Sequence, residues 1–284
     1  MPVGQRVAIV GVGLIGGSIG LALRRRGLAE EVVGVGRRPA VLEKAVAVGA
    51  IDRGTTNLVE GVAEADLVVV ATPVGIIVDV VQAVAQLAPR ASITDAGSTK
   101  AEICQALRPE SDGSDLRPGR FVGSHPLAGG HRTGPEHASG DLFVGRTVVV
   151  TPEDDTPPGL VQRMKEFWES LGADVTLLSP EEHDRALAAT SHLPHLIASA
   201  LAAATPEEWL QLAATGWADT TRIAAGDAEL WTQIFSQNRA AVLDALRRFE
   251  HQLAALDSAI AAGDAAALTS RLQEGKRIRD ALGD

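Results

Sequence analysis

Residues 6–23 read RVAIVGVGLIGGSIGLAL, a short apolar run that leads into a glycine-rich turn and then into a helix-forming segment. The β-branched run from Val7 to Val10 is typical of a strand buried on both faces of a parallel sheet. Gly11, Gly13 and Gly16 follow it at the GxGxxG spacing. The first glycine permits a tight turn, the second lets the backbone approach a pyrophosphate, and the third lets the helix pack closely against the strand. The stretch therefore predicts a dinucleotide-binding domain.

The helix after this turn is expected to begin near Leu14, so that the first turn, with Leu14 and Ile15, presents free backbone N–H groups and a positive dipole end to the phosphates. A glycine-tolerant loop in some other α/β protein is the alternative interpretation. The apolar strand from Glu31 to Val35 argues against it, because it ends about twenty residues past the last glycine, where a nucleotide-binding unit places its second strand.

The residues after this second strand bear on the choice of cofactor. An Asp or Glu at that point binds the ribose 2′-OH of NAD, but here Gly36 is followed by Arg37 and Arg38. Two guanidinium groups can hold a 2′-phosphate through bidentate, charge-assisted hydrogen bonds. We therefore expect NADP to be favoured over NAD, with a solvated surface pair of arginines as the alternative.

Strand-like and helix-like segments then alternate as far as residue 178. Strands are predicted at 65–71, 91–95, 147–151 and 174–178, a further strand end within 121–131, and helices at 39–48, 76–87, 101–107 and 159–171. This alternation indicates an α/β fold with a doubly wound parallel sheet of the Rossmann type. Ligands bind beyond the carboxyl ends of such strands, so Thr72, Pro73, Asp95 and Ser98 are expected to face the cofactor or the substrate.

From Pro180 onward the sequence is alanine-rich and almost entirely helical, which predicts a dinucleotide-binding domain over 1–178 and a helical substrate and dimerisation domain over 179–284. Apolar residues recur there at the 4-3-4-3-4 spacing of a helix-packing seam: Val242, Leu246, Phe249, Leu253, Leu256 and Ile260. A two-fold homodimer through this domain is the favoured partner arrangement, and intramolecular packing against residues 265–282 is the alternative.

Composition narrows the class of protein. The chain has 284 residues, 45% hydrophobic and 22% charged, with a net charge of −10. That charge argues against nucleic acid as a partner, because such binding depends on Lys and Arg neutralising phosphates. The single cysteine, Cys104, fits a reducing compartment and is expected to pack inside a helix. The uncharged segment 7–23 is too short and too rich in glycine to span a membrane, so we expect a cytoplasmic protein.

Two polar side chains are the first candidates for the chemistry. His125 follows a predicted strand and has small or rigid neighbours, which leaves room for a substrate against its imidazole; a structural histidine is the alternative. Ser98 follows the neighbouring strand and has a hydroxyl that can bond either that imidazole or a substrate hydroxyl, although a helix N-cap is equally compatible with the sequence. His183, near the start of a helix, is expected to be on the surface.

The helical domain supplies the remaining candidates. Pro194 near a helix start places His192 and His195 on one helix face, and a metal site is disfavoured because no Cys or carboxylate completes a ligand set at metal spacing. Arg222 can bind a carboxylate, with Asp219 able to orient its guanidinium. Trp231 is expected either to form a wall of the pocket or to pack in the core.

Five blocks carry a family resemblance: Gly11 to Ser18, Asp95 to Lys100, Gly123 to Gly129, Ser191 to His195, and Asp219 to Ala224. Together and in this order the chain resembles the prephenate and arogenate dehydrogenases of tyrosine biosynthesis. The resemblance implies an enzyme for the NAD(P)-dependent oxidative decarboxylation of a cyclohexadiene, either prephenate to 4-hydroxyphenylpyruvate or arogenate to tyrosine.

By the same resemblance, His125 accepts the hydrogen bond and then the proton of the ring hydroxyl, Ser98 orients it, and Arg222 binds a substrate carboxylate. His192 and His195 line the pocket, and His131 stands where some relatives carry Glu. Two alternatives remain. A β-hydroxyacid dehydrogenase-like enzyme should carry a catalytic lysine in the first helix of the second domain, where residues 188–200 have none. A non-enzymatic nicotinamide-binding sensor would not need the histidine, serine and arginine together.

Overall fold

The computed structural model describes residues 4–108, 120–130 and 132–283. Its amino-terminal half alternates strands and helices in the order β1 (Gly4–Val10), α1 (Leu14–Arg25), β2 (Ala29–Val35), α2 (Pro39–Ala47), β3 (Arg53–Thr55), α3 (Leu58–Val62), β4 (Leu67–Val70), α4 (Ile77–Leu87), β5 (Ser92–Asp95), α5 (Ala101–Ala106), β6 (Phe121–Pro126), β7 (Thr147–Thr151), α6 (Pro158–Ser170) and β8 (Asp174–Leu177). The α/β class predicted from the sequence is confirmed.

The eight strands form one sheet in the order β3-β2-β1-β4-β5-β6-β7-β8. All neighbouring pairs are parallel except β6 and β7, which are antiparallel, with Gly123 opposite Thr151 and His125 opposite Val149. The prediction of a parallel sheet therefore holds for six of the seven pairings. An antiparallel neighbour needs no crossover helix, and between β6 and β7 the described residues contain only the short 3₁₀ turn Pro135–His137.

Apolar strand residues form the centre of this sheet. Val7, Ile9 and Leu67 lie in the core cluster on one face, beneath α1 and α6. Ala8 and Val68 lie in the cluster on the other face, beneath α4 and α5. Both faces are covered, as the uninterrupted apolar strands predict. The short elements β3 and α3, which lie between α2 and β4, were not predicted.

The carboxyl-terminal half is helical, as predicted: α7 (Pro180–Leu187), α8 (Leu193–Ala204), α9 (Thr215–Thr221), α10 (Ala228–Gln237), α11 (Arg239–Ala261) and α12 (Ala265–Asp280), with 3₁₀ turns at Glu207–Leu212 and Arg222–Ala225. A π-helical turn at Ala188–His192 joins α7 to α8. The resulting segment Pro180–Ala204 is long and apolar enough to cross a membrane by length and composition alone. Its buried polar side chains, His183, Asp184 and His192, are hydrogen-bonded inside the protein.

The predicted seam on α11 divides into two halves. Val242 is buried against Ala188 and Leu193, whereas Leu253 and Ile260 are 53% and 65% exposed. The long segment predicted from Trp231 is also interrupted, because the helix ends at Gln237 and restarts at Arg239. The first half of the seam thus has an intramolecular partner. The expected alternative partner, α12, also packs against α11, with Arg271 donating to Gln252, but Leu253 and Ile260 stay exposed.

Candidate active site

The glycine-rich turn has the geometry that a dinucleotide requires. Gly11 has φ +97°, and a Cβ there would lie 2.5 Å from the carbonyl oxygen of Ala71. A Cβ on Gly16 would collide with the carbonyl oxygen of Gly11, so α1 packs tightly against the turn. A Cβ on Gly13 would meet no atom of the described residues within 4 Å, so these residues leave open space at the amino terminus of α1 beside partly exposed Leu14 and Ile15. This arrangement fits a pyrophosphate.

Other cofactor candidates lie along the same edge of the sheet. Thr72 and Pro73 follow β4, and the Thr72 hydroxyl is buried without a hydrogen-bond partner in the described structure, so a bound ligand can satisfy it. Arg37 and Arg38 follow β2; both are exposed, and neither forms an ion pair with a described residue. Their guanidinium groups are therefore available to a phosphate.

Asp95 was expected to bind the cofactor, but the structure encloses its carboxylate among protein groups. Its carboxylate is fully buried, forms an ion pair with the equally buried Lys100, and accepts hydrogen bonds from the N–H groups of Gly97 at 2.8 Å and Ser124 at 3.1 Å. These contacts occupy the carboxylate inside the protein. Asp95 instead ties the end of β5 to β6 and to the start of α5.

His125 lies near the end of β6 and is partly exposed. Its Nδ1 is 2.8 Å from Nε2 of His183, whose own Nδ1 is 2.8 Å from Oδ1 of Asp184. His125 Nε2 has no hydrogen-bond partner in the part of the chain that the structure describes. The candidate base therefore carries one anchored nitrogen and one free nitrogen.

His183 is completely buried, so its predicted surface position is wrong. The helix does begin nearby, with Ser179 and Glu182 forming a reciprocal capping box. The predicted location at the helix start was correct, but the helix turns this side chain toward the other half of the chain. Leu187, four residues later on the same helix face, is also buried and was the available signal.

Ser98 neither caps a helix nor contacts His125. The N-cap of α5 is Lys100, and the N–H groups of Lys100 and Ala101 donate to Asp184 at 2.8 and 2.9 Å. Both the N-cap alternative and a direct hydrogen bond from Ser98 to the imidazole are therefore wrong for this structure. The half-buried Ser98 hydroxyl remains free of hydrogen bonds to described residues, and so it is available to a ligand.

His192 and His195 share one helix face, as predicted, and both contact Trp231. The ring of His195 stacks on Trp231 at 3.6 Å and 13°, whereas His192 meets it edge-on at 6.1 Å. A Cβ on Gly226 would lie 2.7 Å from the indole nitrogen of Trp231, so this glycine allows the close approach. The Nδ1 atom of His195 is buried without a hydrogen-bond partner among the described residues.

Arg222 begins the 3₁₀ turn Arg222–Ala225, which packs against α8, the helix that carries His195. The side chain is exposed and, within the described residues, forms no ion pair, so the expected orienting contact from Asp219 is not made. The guanidinium is free to meet a carboxylate. His131, the remaining candidate, lies outside the described residues.

The buried groups have perturbed pKa values. Burial, reinforced by His183 and Lys100, holds the pKa of His125 well below its usual 6.5. Burial lowers the pKa of His183 although Asp184 acts in the opposite direction, lowers that of His192 to about 4, and raises that of the buried Cys104 thiol to about 12. The histidines are therefore neutral at neutral pH, and the thiol is inert packing.

Comparison with known proteins identifies the family. Two sequence profiles match the chain: prephenate dehydrogenase, nucleotide-binding domain, over residues 19–177, and prephenate dehydrogenase, dimerization domain, over residues 179–274. The chain belongs to the prephenate dehydrogenase family. The resemblance noted in the sequence is confirmed. The two alternative interpretations, a β-hydroxyacid dehydrogenase-like enzyme and a non-enzymatic sensor, are no longer needed to explain the sequence.

Relatives of this family match nearly the whole chain. A cyclohexadienyl dehydrogenase from Zymomonas mobilis is 34% identical over 99% of this chain and 97% of its own length, and a prephenate dehydrogenase from Lactococcus lactis is 32% identical over 98% of this chain and 77% of its own. The Aquifex aeolicus prephenate dehydrogenase solved with hydroxyphenyl propionate and NAD+ superimposes with a TM-score of 0.89 at 33% identity, covering 98% of each chain. A Synechocystis arogenate dehydrogenase gives 0.82 at 31% identity, covering 98% of this chain and 99% of its own.

As a member of this family the chain is an oxidoreductase that uses NAD(P) for the oxidative decarboxylation of prephenate or arogenate, a reaction of tyrosine biosynthesis. The dimerization-domain match indicates a homodimer acting on a small molecule. Within the described residues no group of three or more His, Cys, Asp or Glu side chains is placed to hold a metal ion.

Proposed function

We propose that His125 is the base that takes the proton of the substrate's ring hydroxyl. The observation that carries this proposal is the arrangement of its two ring nitrogens: Nδ1 is anchored by His183 at 2.8 Å, while Nε2 is free at a partly exposed position near the strand end. Burial favours the neutral imidazole. A neutral imidazole is the form that accepts a proton.

The reaction balances with this one base. The substrate class is a cyclohexadiene that carries a hydroxyl on one ring carbon and a carboxylate on another. A nicotinamide dinucleotide bound at the glycine-rich turn would supply the hydride acceptor for the hydroxyl-bearing carbon. His125 accepts the hydroxyl proton on Nε2, the carboxylate leaves as carbon dioxide while the ring becomes aromatic, and His125 returns the proton to the ring oxygen. The net losses are one hydride and one carbon dioxide.

The other site residues are assigned to binding. Arg222 has an exposed guanidinium that forms no ion pair with a described residue and lies on the turn that packs against α8, which supports a contact with a substrate carboxylate. The free hydroxyl of Ser98 is assigned to the substrate hydroxyl. His192, His195 and Trp231 form the wall of the pocket, and the unpartnered Nδ1 of His195 is the polar group directed to the substrate side chain.

The cofactor proposal concerns the residues after β2. Gly36 supplies no carboxylate for a ribose 2′-OH, and the exposed Arg37 and Arg38 are free to bind a 2′-phosphate. We therefore propose that NADP is preferred. The groove that accepts the remainder of the dinucleotide is formed by Gly11, Gly13 and the amino terminus of α1.

We also propose that the homodimer forms through the helical half of the chain, with the division into domains placed near residue 178. The exposed second half of the α11 seam supports this, since Leu253 and Ile260 stay exposed among the described residues even though α12 packs against α11. A cytoplasmic location is proposed because the matched relatives are biosynthetic dehydrogenases.

The test is a direct assay with four reactant pairs. Purified protein is mixed with NAD or NADP and with prephenate or arogenate, and the absorbance of the reduced nicotinamide is followed. We expect reduction with at least one of the two substrates, faster with NADP, and none when the cyclohexadiene is omitted. No reduction with any pair would contradict the proposed function.

A further inference from the structure

A chain of hydrogen-bonded side chains extends from His125 into the interior. His125 Nδ1 contacts His183 Nε2, and His183 Nδ1 contacts Asp184 Oδ1, both at 2.8 Å. The two imidazole rings meet edge-on at 5.1 Å and 67°. His183 is fully buried and Asp184 is 3% exposed. The contacts therefore link a partly exposed candidate base to a carboxylate that water does not reach.

The donor and acceptor roles in this series of hydrogen bonds are fixed by Asp184, at its buried end. The Asp184 carboxylate already accepts hydrogen bonds from the N–H groups of Lys100, at 2.8 Å to Oδ1, and of Ala101, at 2.9 Å to Oδ2. An ionised carboxylate can only accept. His183 must therefore donate to it through its Nδ1–H.

The remaining hydrogen positions follow from this one. Burial lowers the pKa of His183, so the ring is neutral and carries a single proton, on Nδ1. Its Nε2 then accepts, and the hydrogen bond between the rings must be donated by the Nδ1–H of His125. His125 consequently carries no proton on Nε2, the nitrogen that is free to accept one from a substrate.

The surrounding charges leave this polarity in place. Lys100 lies close to both rings, but the ion pair with Asp95 balances its charge. His192, nine residues after His183 at the end of the π-helical turn, accepts a hydrogen bond from Asn238 at 3.1 Å, and the same amide donates to the carbonyl oxygen of Asp184 at 2.7 Å. Asn238 thus connects the backbone at Asp184 to the start of α11 without adding a charge.

We propose that His183 and Asp184 are positioning residues for the reaction, fixing the tautomer and the ring orientation of His125 so that Nε2 is the proton acceptor. This proposal rests on the proposed function of His125. It assigns to His183 the orienting role that the sequence had given to Ser98. Because the proton returns to the ring oxygen, His183 and Asp184 do not need to pass a proton to solvent. They hold the imidazole of His125 in place and stabilise the imidazolium that forms.

The tautomer can be measured without any substrate. In protein labelled with ¹⁵N-histidine at neutral pH, nitrogen chemical shifts distinguish Nδ1–H from Nε2–H, and the His125→Asn variant identifies the resonances of His125 by their loss. We expect His125 to be the Nδ1–H tautomer. A neutral His125 with its proton on Nε2 in the wild-type protein would overturn the proposal.

Two substitutions at His183 then separate positioning from structural support. His183→Leu removes the acceptor, whereas His183→Gln retains an amide oxygen for His125 and an amide nitrogen for Asp184. We expect His183→Leu to lose the single Nδ1–H tautomer of His125 and to lower kcat at least about 10²-fold, with KM within about threefold, because a wrong tautomer in a hydrolase triad costs about 10⁴-fold. His183→Gln should retain the tautomer and stay within about tenfold of wild-type kcat.

Controls make the outcomes distinct. His251→Gln, at an exposed position on α11, should change neither the tautomer nor kcat. Wild-type kcat in His183→Leu, or equal losses in His183→Leu and His183→Gln, would contradict the proposal. If His183→Leu does not fold, the nitrogen spectrum of the wild-type protein and the spectrum and kcat of His183→Gln still test the proposal. A protein with the expected tautomer but no turnover of cyclohexadienes would refute the proposed function and leave the tautomer assignment standing.

Discussion

Adding a methyl group at Gly13 separates cofactor binding from stability. Gly13 has φ −94°, which any residue adopts, and its Cβ would meet no atom of the described part of the chain within 4 Å. Alanine is a poorer N-cap than glycine but also reduces the entropy of the unfolded chain, so the free energy of unfolding should change by less than about 1 kcal/mol. The new Cβ would project into the space assigned to the pyrophosphate. We expect the Kd for the cofactor to rise at least about tenfold, or about 1.4 kcal/mol.

Gly11→Ala and Gly159→Ala provide the matched comparisons. At Gly11 the φ of +97° and the 2.5 Å approach to the Ala71 carbonyl oxygen should together destabilise the fold by about 2 to 5 kcal/mol. Gly159, at the start of α6, is exposed and open among the described residues, so alanine there should leave cofactor affinity unchanged and stabilise the fold by up to about 1 kcal/mol. Urea unfolding without cofactor and fluorescence titration with reduced cofactor give the two readouts. Wild-type cofactor affinity in Gly13→Ala would refute the assignment of this groove.

Three further predictions concern other parts of the site. Replacing Arg37 and Arg38 together by alanine should lower kcat/KM with NADP at least about tenfold and leave the value with NAD almost unchanged; a wild-type enzyme that strongly prefers NAD would contradict this. Arg222→Ala should raise the KM for the cyclohexadiene with little change in kcat, because it removes a contact made in both ground and transition states; an unchanged KM would exclude it from the pocket. For His192 the folded pKa of about 4 lies below the usual 6.5, so the unfolded chain binds the proton first and stability falls as pH drops from about 6.5 toward 4. His192→Asn, which keeps an acceptor for Asn238, should remove up to about 3 kcal/mol of that loss in urea unfolding, and an unchanged slope would contradict the assignment.

Local patterns predicted the elements that depend on local physics. The apolar run from Val7 to Val10 and the glycine spacing after it were sufficient to place β1, the turn and α1, since strand burial and steric freedom are read directly from side-chain type. The strand β3 (Arg53–Thr55) was missed because three residues, only partly buried, show no period. It is held by pairing with β2, which the local sequence does not reveal.

The errors at the site have a different origin, namely contacts between distant parts of the chain. Asp95 was expected to face a ligand, but its carboxylate is occupied by Lys100 and by an N–H group on β6. The free N–H groups at the start of α5 donate to the carboxylate of Asp184, about eighty residues later, rather than to Ser98. For the same reason His183 was expected at the surface: the packing of α7 against α5 and β7 brings it within hydrogen-bond distance of His125.

The base assignment can be tested by replacing His125 with asparagine, which removes the titratable group and retains a polar side chain of similar size. Steady-state kinetics with the active substrate and cofactor pair should show kcat lowered by about 10² to 10⁴, with KM within about threefold of wild type. Cofactor affinity and the unfolding midpoint should be unchanged, and His251→Asn should behave as wild type. Wild-type turnover in a folded His125→Asn enzyme would contradict the account.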